Sequence, residues 1–178
     1  MNQQIFTLQA FPGENLPPNV QIVGNITRNQ QQLEITYKLL GDLSEIAIAT
    51  PTNQPSRKHE LWQDTCFEFF VGLKNATSYW EFNLSPAGDW NIYRFDHYRQ
   101  GMQTETTFIE LPFHVEKSAS FTLNLQLDLA KIIPPDQKID VAITSVIKQQ
   151  NNQITYWALA HKGTKPDFHL RDSFIIEL

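Results

Sequence analysis

The stretch that decides the fold is RKHELWQDTCFEFFVGLKNATSYWEFNLSPAGDWNIYRFDHYRQGM, Arg57 to Met102. It holds three of the four Trp and three of the five Tyr of a 178-residue chain. Within it, apolar residues recur at every second position, and period two marks a strand because successive side chains leave a strand on opposite faces. Cys66 to Leu73 and Tyr79 to Ser85 therefore read as two strands. Lys74 to Ser78 between them has the small, polar composition of a hairpin loop. Ser85-Pro86-Ala87-Gly88-Asp89 is a second break, after which Trp90 to Phe95 returns as a third antiparallel strand.

The alternation sorts this meander into two faces. Phe67, Phe69 and Val71 share one face of the first strand, and Trp80, Phe82 and Leu84 share one face of the second, which makes that side core. The opposite side carries Cys66, Glu68 and Phe70 beside Tyr79, Glu81 and Asn83. That set is too polar for a core and too aromatic for an idle surface. Carboxylates set among rings lose water and need cationic or hydrogen-bonding partners, for which Arg94 on the third strand is the nearest candidate. A cross-strand ion pair that only fixes the register is the competing reading.

Outward from the meander, the rest of the chain repeats the strand pattern. Ile5 to Gln9 reads as a short strand, and Phe11 to Pro18 as a stiff, Pro-rich connection. Val20 to Arg28 alternates, and Leu33, Ile35, Tyr37 and Leu39 alternate with Glu34, Thr36 and Lys38. Ile46 to Ala49 is expected to be a strand, followed by an irregular loop with Pro51 and Pro55. Weak strands are expected at Thr107 to Leu111 and Phe113 to Glu116, and clear ones at Phe121 to Asp128 and Ile139 to Ser145. Leu129 to Ile132 has room for one helical turn, and Ile154 to His161 and Phe174 to Leu178 read as the last strands. With many short strands and almost no helix, the expected solution is an all-β, immunoglobulin-like or jelly-roll-like antiparallel β-sandwich, a single domain over residues 1–178. A closed barrel is the alternative.

Composition bounds the function. The chain is 41% hydrophobic and 19% charged, with net charge −5, and it has no Lys/Arg cluster, so nucleic acid is not an expected partner. No apolar stretch has the length of a membrane span, so no membrane partner is expected. The N-terminus lacks a basic region followed by an apolar run, and Cys66 is the only cysteine; a cytoplasmic location is the expectation.

The strings Leu61-Trp62-Gln63-Asp64-Thr65-Cys66-Phe67-Glu68, Tyr79-Trp80-Glu81-Phe82-Asn83-Leu84-Ser85-Pro86-Ala87-Gly88 and Tyr93-Arg94-Phe95-Asp96 resemble the bacterial DOMON-like family related to family 9 carbohydrate-binding modules. Tyr156 to His161 and Lys165-Pro166-Asp167-Phe168-His169 resemble that family's C-terminal signature. The resemblance covers the chain from about Arg57 onward. It implies a β-sandwich with a ligand site on one face or rim. It leaves the ligand open, because relatives include sugar binders and haem binders.

Sugar binding asks for aromatic rings against the apolar faces of a pyranose, with carboxylate, amide and guanidinium groups around them. Trp62, Asp64, Glu68, Glu81, Asn83 and Arg94 supply those types, Trp62 at a loop-to-strand boundary. Trp80 alternates with core positions and Trp157 shares a face with Leu159, so both read as structural. His161 and His169, with Asp167 and Arg171, are expected to form a polar cluster at one end of the sandwich. Scattered His without a short ligand spacing do not suggest zinc. A haem of the kind the resemblance implies would need Met102 opposite His97, His161 or His169. Glu68 and Glu81 could also be the paired carboxylates of a glycosidase, although nothing in their spacing separates catalysis from a polar network. The buried-thiol reading of Cys66 outweighs a reactive one. The sequence therefore leads to a non-catalytic module for a saccharide or other small polar ligand, with no cofactor. A haem or redox-cofactor domain and a structural or interaction domain without a ligand are the alternatives.

Overall fold

The computed structural model describes residues 3–178, and they form two packed antiparallel sheets, a β-sandwich. Its strands are β1 (Gln4–Thr7), β2 (Gln9–Ala10), β3 (Val20–Asn29), β4 (Gln32–Gly41), β5 (Cys66–Leu73), β6 (Tyr79–Leu84) and β7 (Trp90–Phe95). There follow β8 (Gln103–Thr104), β9 (Phe113–Lys117), β10 (Phe121–Asp128), β11 (Ile139–Lys148), β12 (Ile154–Ala158) and β13 (Ile176–Glu177). The smaller sheet has the order β1-β3-β4-β10-β9. The larger has β2-β12-β11-β5-β6-β7-β8, and β13 pairs with the end of β11 that β12 leaves free. Among the described residues no helix is long and apolar enough to cross a membrane.

The alternation read from the sequence is what packs the two sheets. Ile22, Ile26, Leu33, Ile35, Leu39, Leu123 and Leu125 of the smaller sheet meet Phe67, Phe69, Val71, Phe82, Leu84, Val141 and Ile143 of the larger, all buried. Phe67 stacks on Phe121 across the gap, with centroids 5.1 Å apart. Phe69 stacks on Phe82 at 4.3 Å. Tyr37 reaches through this core and donates its hydroxyl to the carbonyl of Glu68 at 2.6 Å. A buried phenol needs such a partner. The bond fixes the backbone of β5 at the residue that will matter most on its other side.

Several expectations shift for local reasons. Asp42 accepts from the Ser44 amide at 2.9 Å and starts a short 3-10 turn at Leu43–Glu45. The chain therefore leaves the sheet early, and the strand expected at Ile46 to Ala49 is only an isolated bridge from Ile46 to Gln149. Residues 107–111 form no strand; Phe108 and Leu111 turn inward and plug the end of the core. The last strand shrinks to Ile176–Glu177 because Arg171–Ser173 forms a 3-10 turn that carries Phe174 to the outer side of the larger sheet. Leu129–Lys131 is the single turn expected there.

The larger sheet is covered on both sides. In β5 and β6 every residue but Leu73 is buried, so their outward side chains lie under a second layer. That layer comes from the turn at Leu61–Gln63 and from the stretch after β12, and it encloses a second apolar cluster with Phe70, Tyr79, Tyr93, Phe95, Val146, Phe168 and Phe174.

Candidate functional site

The outward face of the larger sheet is built in rows. Pairing sets Thr144, Glu68, Asn83 and Asn91 side by side across β11, β5, β6 and β7, and Ala142, Phe70, Glu81 and Tyr93 in the next row. Glu68 and Glu81 are thus diagonal neighbours, about 7–8 Å apart at the backbone in such a pair. They form the floor of a concavity of about 500 Å³, with Trp62, Tyr156, Phe168, His169, Arg99 and Lys165 around it.

Each wall is held by its own local structure. The hairpin at Leu73 to Ala76 turns through Asn75 in the left-handed region. Beyond β7, the turn closed by the Asp96 amide on the Gln100 carbonyl at 3.0 Å carries Arg99 and Gly101 at positive φ. A Cβ at Gly101 would overlap the Asp96 carboxylate, so glycine is required both by conformation and by space. This turn directs Arg99 to Asp167, 3.1 Å away, and the Tyr98 hydroxyl donates to the same carboxylate at 2.5 Å. Asp167 also accepts the His169 amide at 3.0 Å. Two loops distant in sequence are thereby locked into one rim.

The floor is electrostatically unusual. Glu68 is 2% exposed, its Oε1 has no well-formed hydrogen bond, and the donors near the carboxyl are the weak Cys66 thiol and the Thr144 hydroxyl, 3.5 Å from Oε2. Burial, reinforced by the neighbouring Glu81 charge, pushes its carboxyl well above the usual range. Glu81 accepts from Asn83 Nδ2 at 3.0 Å, yet burial still raises it to about 7. His169 Nε2 faces Glu81 Oε2 at 3.8 Å, and burial lowers this imidazole to about 4. At neutral pH the contact therefore joins a neutral ring to a partly protonated acid and is not an ion pair. Tyr79 Oη lies 2.9 Å from His169 Nδ1 and accepts the Arg99 amide at 3.2 Å, so one ring nitrogen is held by the phenol and the other is turned to Glu81.

The expected site residues separate accordingly. Glu68, Glu81, His169 and Trp62 come together at the cavity; Trp62 is half-buried and packs edge-on against Tyr93 at 5.7 Å. Asn83 is fully buried behind the floor as the donor to Glu81. Three expectations are corrected. Arg94 pairs with Trp80 in register, which puts it on the side opposite the carboxylates, exposed and 4.0 Å from Asp96. Asp64 is exposed and bound to Lys148 at 2.7 Å. His161 turns away to the Gln9 carbonyl at 2.8 Å and the edge of Phe11. The expected end cluster is also divided, because Arg171 leaves it to bond the Leu73 carbonyl and Asp140, each at 3.2 Å. Trp80, Trp90 and Trp157 are core residues.

Arg99, Tyr156, Lys165 and Phe168 line the cavity and are not among the expected site residues, although all but Arg99 stand in the strings that carry the resemblance. For Tyr156 a signal existed, since it shares the outward parity of β12 with Ala158, next to Val146 and Thr144 of β11. For Arg99 none did, because its position depends on a turn meeting a loop almost seventy residues later.

The chain matches no protein-family model and no curated protein. In fold it is similar to the crystal structure of a putative carbohydrate-binding protein from Bacteroides uniformis ATCC 8492. The TM-score is 0.69 at 16% identity over 96% of this chain and 83% of that one.

Proposed function

We propose that this domain is a non-catalytic binding module that takes a small polar ligand of saccharide type in the cavity over Glu68 and Glu81. The observation that carries the reading is Glu68 Oε1, a carboxyl oxygen buried without a partner at the floor of a cavity about 500 Å³ in volume. Leaving such an atom unpaired costs roughly 1–3 kcal/mol, and a ligand donor would remove that cost. The walls add Trp62, Tyr156 and Phe168, ring surfaces suited to the C–H face of a pyranose. The similarity in fold to a protein described as carbohydrate-binding, and the resemblance of the Trp62 to Glu68 and Tyr79 to Gly88 strings to DOMON-like and family 9 modules, support the same reading.

Two alternatives fit less well. A glycosidase sets its acid and its second carboxyl on either side of the scissile bond, whereas Glu68 and Glu81 share one floor on adjacent strands. For a haem, His169 would be the axial base, with Met102 at the rim. Its Nδ1 is engaged by Tyr79 and its Nε2 faces a carboxyl, so neither nitrogen is presented to an iron.

The test uses the Trp emission of the intact domain. Trp80, Trp90 and Trp157 are buried in the core, so a ligand-dependent change reports on Trp62. Titration with mono- and oligosaccharides is expected to give a saturable change, with affinity weakened by about tenfold or more in Trp62→Ala. A flat response in fluorescence and in calorimetry across the panel would sink the proposal.

A further inference from the structure

The cavity floor holds two acids with no cation beside them, an arrangement that a neutral sugar does not need. Glu68 and Glu81 are 2% and 5% exposed, and no Lys or Arg lies within salt-bridge distance of either among the described residues. Buried carboxyls are normally matched by a cation held in place by the fold. Here the cations nearest the cavity are used otherwise: Arg99 is tied to Asp167, and Lys165 stands exposed at the rim. Arg94, the cation on the neighbouring strand, faces away. The structure therefore holds two buried acids in the cavity lining, one with an oxygen that lacks a hydrogen-bond partner, and leaves the position in front of them to whatever enters.

A metal ion is the wrong occupant for that position, because among the described residues no group of three His, Cys, Asp or Glu side chains converges on one point. An ammonium group fits better: it is compact, has three donors, and needs only the acceptors that the Glu68 and Glu81 carboxyls supply in the cavity lining. The basic rim restricts the rest of the ligand. Arg99 and Lys165 repel an extended polycation and favour a molecule with a single amine and acceptor-rich hydroxyls behind it.

We infer that the floor of this cavity takes the ammonium group of an amine-bearing ligand, with Glu68 and Glu81 as its acceptors. This rests on the saccharide reading for one further step, which makes the ligand class an amino sugar with its ring against Trp62, Tyr156 and Phe168.

The experiment is isothermal titration calorimetry of the intact domain with matched trios: D-glucosamine, D-glucose and N-acetyl-D-glucosamine, and their galacto and manno counterparts. Methylammonium chloride serves as a cation without a sugar. In at least one trio the free amine is expected to bind about tenfold or more tighter than both neutral partners. The preference should vanish in Glu68→Gln and in Glu81→Gln, which keep the side-chain shape and are checked for native folding by near-ultraviolet circular dichroism. A second readout is proton release. An ammonium favours the ionised carboxyls and expels protons that the pair holds, so the binding heat of the amine should vary with the ionisation enthalpy of the buffer and that of a neutral sugar should not. The groups facing the pair are His169 and Arg99 near Glu81 and Cys66 near Glu68. Equal affinity within every trio overturns the inference and leaves the saccharide reading in place. Binding of methylammonium but of no sugar upholds the role of the floor and removes the saccharide reading. Amine preference that persists in both Gln variants, or no heat from any compound, overturns the inference.

Discussion

Phe69 and Phe70 are neighbours in β5, both fully buried, and they enter different environments. Phe69 stacks on Phe82 in a predominantly apolar core. Phe70 packs edge-on against His169 at 5.3 Å, one row from Glu68 and opposite Glu81. Burial is equal on the two sides; what differs is the price of an imperfect fit. On the inner side the contacts around Phe69 are dispersion and area, so mispacking leaves a cavity. On the outer side burial has stranded acids, and shifted proton affinities record it. Stability is concentrated on one face of the sheet and chemistry on the other.

The largest break in this comparison comes from the inner face. Phe69→Ala is expected to destabilise the domain by about 3–5 kcal/mol in urea unfolding. Ligand affinity of the molecules that remain folded should be unchanged. Loss of binding without loss of stability would mean that the two faces are not separable in this way.

A smaller effect concerns pH. The folded state keeps a proton on Glu81 up to about 7, whereas the unfolded chain releases it near 4.5. That contribution to stability is full below 4.5 and is lost as pH rises through about 7, on the order of 3 kcal/mol. Glu68, also raised, acts in the same direction. His169 has the opposite sign: lowered to about 4, it contributes fully above 6.5 and its contribution is lost as pH falls toward 4. Between 4.5 and 6.5 two acids act against one imidazole, so stability should already fall with pH there and go on falling through neutrality. In Glu81→Gln only Glu68 opposes His169, so the profile should flatten between about 4.5 and 6.5, as followed by denaturant midpoints across that range.

The smallest effect is expected from the residues that the sequence offered and the fold withdrew. Asp64→Ala and Arg94→Ala remove exposed side chains from ion pairs with Lys148 and Asp96, and each should change stability by less than about 1 kcal/mol. Neither should alter ligand affinity. A large loss of binding in Arg94→Ala would contradict the face assignment made by the register.

That contrast also shows which features could be read from the chain. Period-two alternation carries the parity of each strand, so the sandwich and the pairing of Glu68 with Glu81 on one face were both legible before any coordinates. Arg94 was misplaced because the same rule was not carried into the third strand: Arg94 shares parity with Trp90 and Ile92, which are core. The rim was illegible for a different reason. Arg99, Asp167 and Tyr98 meet through loops, where no period links sequence to direction, and where one positive φ at Arg99 decides the aim of a side chain. His161 was grouped with His169 because they are near in sequence, but the turn between them sends one to Gln9 and the other to Tyr79.

Gly72 and Arg171 bear on the order in which the molecule opens. A Cβ at position 72 would collide with the guanidinium, which lies on the bare backbone of β5, bonds Leu73 and Asp140, and covers Phe174 at 4.5 Å. From Gly163 to Ser173 the chain makes no ladder bonds, only local turns such as Ser173 to Leu170, so this clasp, the Asp167 contacts, the Tyr79–His169 bond and the packing of Phe168 hold it. Amide hydrogens there should exchange with solvent far sooner than those of β5 and β11, whose release requires the whole sandwich to come apart. A guest trapped beneath Phe168 and His169 would then leave by peeling back that strap, and its residence time would be set by the grip of one arginine.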